Sequence, residues 1–247
     1  MDTIIRTYVP NEERFELLLR SIASWHDKQL FDLGSLIIAD DLSPIKYAEK
    51  VKRFCLDNKI EYGYANFGIP DTKNGLYWSF KMAKSFPVLC CVDDLVFGKK
   101  IKEKIIEIQT NCIPILENDN IPWACIGMFS CYQRNVRTFY KSSGLWNIPN
   151  DALYALVCHI FSEPISKILN TQWEKFILQQ EPISETENFN LNCCDDLWVS
   201  RNASTYGFKC FNTYEYDYAQ HTGMSNRSFN VDTIGNSNYM SPCFIGE

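Results

Sequence analysis

Two apolar runs set the limits on how this chain folds. Val88-Leu89-Cys90-Cys91-Val92 and Leu36-Ile37-Ile38-Ala39 show no polar alternation, so each reads as a fully buried strand. Each run then stops on adjacent carboxylates, Asp93-Asp94 and Asp40-Asp41. Open α/β sheets bind their ligands beyond the carboxyl ends of their strands. Like charges placed together there repel unless a cation or a proton intervenes. A divalent metal relieves that repulsion, and a solvated Asp-Asp turn explains the same residues equally well.

Helical patterns separate the strands. From Glu12, Phe15, Leu18, Leu19 and Ile22 recur at helical spacing, and residues 47–58 and 74–85 repeat the pattern. With residues 3–8 as a first strand and 60–64 as a short third, the order is β-α-β-α-β-α-β. That order predicts right-handed crossovers and a parallel sheet. Beyond Gly98, residues 99–110 read as a Lys-rich helix, 114–122 as a loop, and 123–129 and 154–161 as strands. Residues 132–150 show no clear period and read as an acceptor-side loop or a hairpin. Residues 163–179 form an apolar-faced helix, and 181–192 a polar loop. The loop leads into Cys193-Cys194 and a third acid pair, Asp195-Asp196, opening a helix capped by Gly207. Acids in a first helical turn are favoured by the macrodipole, so capping is a second explanation for that pair. The tail from Asn226 is rich in Asn and Ser and reads as irregular. No repeat or linker divides the 247 residues, so we expect one α/β domain, its mostly parallel central sheet flanked by helices.

Composition narrows the partners. The net charge is −6 and no basic stripe occurs, which argues against nucleic acid as a ligand. Eleven cysteines are an odd number, two pairs are adjacent in sequence, and no Cys-x-x-Cys is present. Free buried thiols in a reducing compartment fit that pattern better than disulfides or structural zinc. Neither a signal-peptide stretch nor a membrane-length apolar span is present, so the expectation is a soluble cytoplasmic protein. No Gly-x-Gly-x-x-Gly follows the first strand and no Walker-type loop occurs, so the usual glycine cradles for phosphate are missing. An acid-lined mouth of this kind needs a bridging metal to hold a nucleoside diphosphate.

From Thr3 to about Ser228 the chain resembles a GT-A glycosyltransferase, family-2-like, a nucleotide-sugar-dependent transferase with one Rossmann-like domain. Ile5-Arg6-Thr7-Tyr8 followed by Asn11 is similar to the first-strand motif that meets the nucleotide base. Ile37-Ile38-Ala39-Asp40-Asp41-Leu42-Ser43 is similar to the second-strand motif, whose last acid, here Asp41, contacts base or ribose. Lys73-Asn74-Gly75-Leu76 resembles the Arg-Asn-x-Gly-Leu segment, with Lys for Arg and the glycine one residue early. Val92-Asp93-Asp94 resembles the Asp-x-Asp metal motif with Val in the first place, so Asp94 maps onto the metal ligand and Asp93 faces sugar or ribose. Asp195-Asp196-Leu197-Trp198 resembles the late acid pair that supplies the catalytic base in inverting members, and the spacing to Gly207-Phe208 favours Asp196. Gln220-His221-Thr222-Gly223, then Ser225, resembles the segment whose histidine approaches metal or diphosphate. A lone histidine is more often structural, as His26 and His159 are read here, but its context sets His221 apart.

The resemblance implies transfer of a sugar from a nucleoside-diphosphate donor, UDP-sugar favoured, to a hydroxyl of a glycan or other glycoconjugate, with Mn2+ or Mg2+ as cofactor. Residues 1–98 would be the nucleotide-binding half, 99–228 the acceptor-binding half and 229–247 a tail. A cytosolic transferase of bacterial or viral type suits the absent anchor and the free thiols. The competing reading is a non-catalytic module of the same fold that binds nucleotide sugar or glycan. A sugar-phosphate nucleotidyltransferase ranks last, because Arg6-Thr7-Tyr8-Val9-Pro10 is not the glycine-rich loop such an enzyme needs.

Overall fold

The computed structural model describes residues 1–68, 71–128, 138–140, 142–148, 156–178, 184–191, 193–213 and 218–221; the side chains of 138–140, 189–190 and 220–221 lie outside that description. The first half alternates as its pattern predicts: β1 (Thr3–Thr7), α1 (Glu12–Asp27), β2 (Leu36–Asp41), α2 (Ile45–Asp57), β3 (Glu61–Ala65), α3 (Thr72–Met82) and β4 (Val88–Val92). A short β5 (Leu95–Phe97) follows the acid pair at 93–94, and then α4 (Ile101–Glu107), α5 (Ile113–Asn118), β6 (Trp123–Gly127), β7 (Thr138–Tyr140) and β8 (Leu145–Ile148). The chain continues through β9 (Cys158–Phe161), α6 (Glu163–Leu178), α7 (Glu185–Leu191), α8 (Asp195–Thr205), β10 (Lys209–Thr213) and β11 (Ala219–His221).

Nine of these strands form one sheet in the order β3-β2-β1-β4-β9-β6-β10-β8-β7. The pairs β3/β2, β2/β1, β1/β4 and β6/β10 are parallel. β9 runs against both β4 and β6, and β8 against both β10 and β7, so seven of the nine strands point the same way. The pleat divides the core in two. Ile5, Ile38 and Cys91 turn to the layer that holds Phe15, Leu18 and Ile22 of α1. Ile4, Ile37 and Cys90 turn to the layer that holds Leu76 and Phe80 of α3, Trp173 of α6 and Trp198 of α8. Helices therefore cover both faces, which is why the strands read as continuous apolar runs.

Two segments depart from their sequence patterns, and a third resolves between two readings. The stretch expected as a loop from Pro114 is helical to Asn118. A π turn at Ile108–Cys112 interrupts the helix begun by α4, and Pro114 falls in the first turn of α5, where no backbone N–H is needed. The polar loop expected at 181–192 contains α7. Its start is a reciprocal cap: Glu187 N donates to Ser184 Oγ at 3.2 Å, and Ser184 N donates to Glu187 Oε2 at 3.1 Å. Residues 132–150 include the antiparallel pair β7/β8, the hairpin rather than the loop. The tail from 222 lies outside the described residues. Cysteines 55, 90, 91, 112, 125, 158 and 210 are buried as free thiols.

Candidate active site

β1 lies between β2 and β4, in a register that sets Thr7 beside Asp40 and Arg6 beside Val92. The acid pairs that end β2 and β4 therefore flank the end of β1. Leaving the sheet there, Asn11 caps α1 by accepting the Arg14 N–H at 2.9 Å. Arg14 thus sits in the first turn of a helix that begins at the mouth of the site.

Both acids at 93–94 are buried, and Asp93 is held from the end of β1. Thr7 Oγ1 donates to Asp93 Oδ2 at 2.5 Å and Tyr8 N donates to the same oxygen at 3.3 Å. Arg14 straddles the pair: Nη1 donates to Asp94 Oδ2 at 2.6 Å, while Nη2 is ion-paired with Asp93 Oδ1. Burial pushes the Asp93 carboxyl above its ordinary value, against the pull of Arg14. From the same helix, Ser21 Oγ donates to the carbonyls of Asp93 and Leu95 and accepts Leu95 N, fixing the backbone beneath the pair.

On the other flank, Asp40 is wholly buried. Tyr62 donates to it at 2.8 Å and the Ser43 N–H at 3.2 Å, and burial still raises its pKa. Ser43 Oγ in turn accepts Val9 N at 2.7 Å, so the β2 end is tied to the β1 end. Asp41 is half-buried at the mouth. Leu42, next to it, has φ of +68°, a backbone that branched or bulky residues rarely adopt and one found at functional turns.

The third pair arrives from 189 positions away. Arg6 Nη1 is ion-paired with Asp195 Oδ2, and its Nη2 donates to the Leu156 carbonyl at 2.6 Å. The Leu156 N–H donates to Asp196 Oδ1 at 2.9 Å. One residue, Leu156, thus links Arg6 to Asp196, and Arg6 brings Asp195 into the same cluster. Asp195 is buried; Asp196 is half-buried and the more accessible of the two. Lys73 is buried, with Nζ 2.7 Å from Asp71 Oδ2 and donating at 2.7 Å to the Cys193 carbonyl. It thereby anchors the turn that presents Asp195. Trp173 Nε1 donates to Asn74 Oδ1 at 3.0 Å, joining α6 to the start of α3.

Arg6, Tyr8, Asp93, Asp94, Asp195 and Asp196 are thus brought to the carboxyl edge of the sheet, with Asp41 at its rim and Lys73 behind it. β11 returns antiparallel to β5 with His221 opposite Leu95, so its backbone stands next to the 93–94 pair. The His221 side chain lies outside the described residues. Among the described residues no group of three His, Cys, Asp or Glu side chains forms a metal centre. The two adjacent hard carboxylates at 93–94 nevertheless suit Mn2+ or Mg2+ by donor type, and the cation they hold here is a guanidinium.

Sequence reasoning missed Arg14. Its signal was available: Arg14, Leu18 and Ser21 fall at i, i+4 and i+7, so an arginine stands on the buried stripe of α1. His159, which is read from sequence as structural, is buried beneath the Arg6–Asp195 pair. Burial, with Arg6 adding to it, lowers its pKa to about 3.

Comparison with solved structures places this architecture. Over 88% of this chain and 59% of theirs, S. aureus TarS 1-349 superposes with a TM-score of 0.51 at 13% identity. The same protein in complex with UDP-GlcNAc covers 94% of this chain and 62% of its own, with a TM-score of 0.50 at 13% identity. The mannosyltransferase PcManGT from Pyrobaculum calidifontis, in complex with GDP-Man and Mn2+, covers 91% and 57%, with a TM-score of 0.53 at 11% identity. The chain spans about three fifths of the length of these structures. No protein-family profile and no curated protein matches the sequence. The fold is that of the GT-A nucleotide-sugar glycosyltransferases. Among the described residues no helix is long and apolar enough to cross a membrane.

Proposed function

We propose that this chain is a glycosyltransferase, a hexosyl or pentosyl transferase that moves a sugar from a nucleoside-diphosphate sugar to a hydroxyl of a glycan or other glycoconjugate. The observation that carries the reading is the meeting of three acid pairs at one sheet edge, each fixed to the end of β1. Neighbours of the same fold bind UDP-GlcNAc or GDP-Man, which supports a nucleotide-sugar donor; UDP is favoured as the commonest donor base for this fold. Residues 1–98 form the nucleotide half, with Arg6, Tyr8, Asp41, Lys73 and Asp93 on the donor side. Residues 99–228 form the acceptor half.

Asp196 is the base. Its neighbour Asp195 is buried and committed to Arg6, whereas Asp196 is the more accessible carboxylate. It takes the proton of the acceptor hydroxyl as that oxygen bonds to the anomeric carbon from the face opposite the diphosphate. The bond from the anomeric carbon to the diphosphate oxygen breaks, and its electron pair leaves with the diphosphate. Inversion follows from that geometry. Asp94, with His221, would hold Mn2+ or Mg2+, which would supply Lewis-acid stabilisation of the leaving diphosphate, and Asp93 beside it would face the sugar or ribose. The buried free thiols support a reducing, cytoplasmic setting.

A second reading, binding of nucleotide sugar or glycan without transfer, is favoured by the guanidinium already seated on the 93–94 pair. One experiment separates them: incubation with a panel of nucleotide sugars and Mn2+, scored for release of nucleoside diphosphate and for transfer. Turnover that Asp196→Asn abolishes supports the transferase. Thermal stabilisation by donors without any turnover supports the binding module.

A further inference from the structure

The Asp93–Asp94 pair already has a cation, and it comes from the chain itself. Arg14 gives one guanidinium nitrogen to each carboxylate, so a single side chain answers the repulsion that a divalent ion would otherwise relieve. The arrangement is asymmetric in access. The two aspartate side chains are 3% exposed, whereas that of Arg14, in front of them, is 17% exposed. Arg14 is therefore the solvent-facing partner of both ion pairs, and it reaches them from α1 rather than from the strand that carries the acids. One guanidinium is shared between the two carboxylates, and the Thr7 hydroxyl and Tyr8 N–H that also bond Asp93 are neutral donors. A divalent ion balances both acids.

We propose that Arg14 is a built-in competitor for the metal: it closes the Asp93–Asp94 pair when no metal is bound, and a divalent cation binds only by displacing it. The consequence is a cation affinity set below what two buried carboxylates would otherwise give, so that the site loads when metal is abundant or arrives already on a diphosphate. This rests on the proposed function only for the choice of cation. The role of Arg14 follows from its two ion pairs.

The test is Mn2+ binding without any sugar nucleotide, read from the loss of the free Mn2+ paramagnetic resonance signal. Wild type, Arg14→Gln, Arg14→Lys and Arg14→Gln/Asp94→Asn are compared. Removing two charge-assisted hydrogen bonds that Mn2+ must otherwise break should tighten its binding by about tenfold or more in Arg14→Gln. The double variant should lose that gain. Arg14→Lys keeps the charge but not the planar fork, and should fall between wild type and Arg14→Gln. It also carries the test if the glutamine variant does not fold, tighter Mn2+ binding than wild type supporting the proposal. Equal or weaker Mn2+ binding in the folded Arg14 variants overturns it. Because no donor is present, a chain that transfers no sugar and still shows the tenfold gain supports this inference and overturns only the proposed function.

Discussion

Arg6 is ion-paired with Asp195, which joins the end of the first strand to the start of α8 across 189 positions of sequence. Both side chains are largely withdrawn from water, and the same guanidinium also holds the Leu156 carbonyl at 2.6 Å. Removing one partner strands the other as a buried charge, which costs about 3–5 kcal/mol, whereas replacing both with apolar groups is often close to neutral. Arg6→Met should therefore lower the urea midpoint far more than Arg6→Met/Asp195→Leu. If the double variant were no more stable than the single one, the ion pair would not be the organising contact.

How much of this was readable in advance follows from the kind of signal each part leaves. The parallel half was legible because β1, β2 and β4 are buried on both faces and so lack polar alternation. The acid pairs were legible because carboxylates stand out where an apolar run stops. What joins them was not, since Arg6 meets Asp195 only through the whole fold, and Arg14 looks like any charged residue of an amphipathic helix until its place on the stripe with Leu18 and Ser21 is counted. The helix at 185–191 was hidden by its polar composition. Only the Ser184-x-x-Glu187 spacing announced it.

That spacing gives a stability prediction. Ser184 and Glu187 satisfy each other's backbone N–H groups, and the glutamate carboxyl is held below its ordinary value chiefly by the Ser184 N–H. Ser184→Ala should lower stability by about 0.5–2 kcal/mol. Amide hydrogen exchange should quicken within 185–191 and hardly elsewhere. Uniform acceleration over the whole chain would argue against a local cap.

His159 makes stability depend on pH. Burial holds its folded pKa to about 3, below the unfolded value of about 6.5. A depressed histidine is neutral in the folded state and protonated in the unfolded one, so its contribution is present above pH 6.5 and is lost as pH falls toward 3. Between pH 7.5 and 5 the loss from this one group is about 2 kcal/mol. Asp40 and Asp93, raised by burial, act in the opposite sense, so the comparison must be between variants. His159→Leu should gain on wild type as pH drops across that range, measured by urea unfolding. A constant difference at both pH values would contradict the buried neutral imidazole.

The same region explains a glycine. A Cβ on Gly127 would lie 2.1 Å from Asn212 Oδ1 and 2.7 Å from His159 Nε2. β6 is paired on both sides, with β10 and β9, so neither neighbour can retreat without disturbing the sheet. Gly127→Ala should destabilise by about 1–3 kcal/mol. Pairing it with His159→Ala, which opens the space, should recover part of that loss in a thermal melt. No recovery would mean that Asn212 alone sets the limit.

Asp196 and Asp195 are adjacent, yet the structure gives them different work. Asp195 is buried against Arg6, so Asp195→Asn removes a charge from an ion pair and should lower the melting temperature as well as transfer. Asp196 accepts the Leu156 N–H through Oδ1, a bond that an asparagine carbonyl oxygen also makes, so Asp196→Asn should melt close to wild type. If Asp196 takes the acceptor proton, that variant loses general-base catalysis, about 10²–10⁴ in kcat, with little change in donor affinity. Transfer by Asp196→Asn within about tenfold of wild type would move the base elsewhere. A matched drop in melting temperature would instead place Asp196 with Asp195, as part of the scaffold that holds Leu156 across the sheet edge.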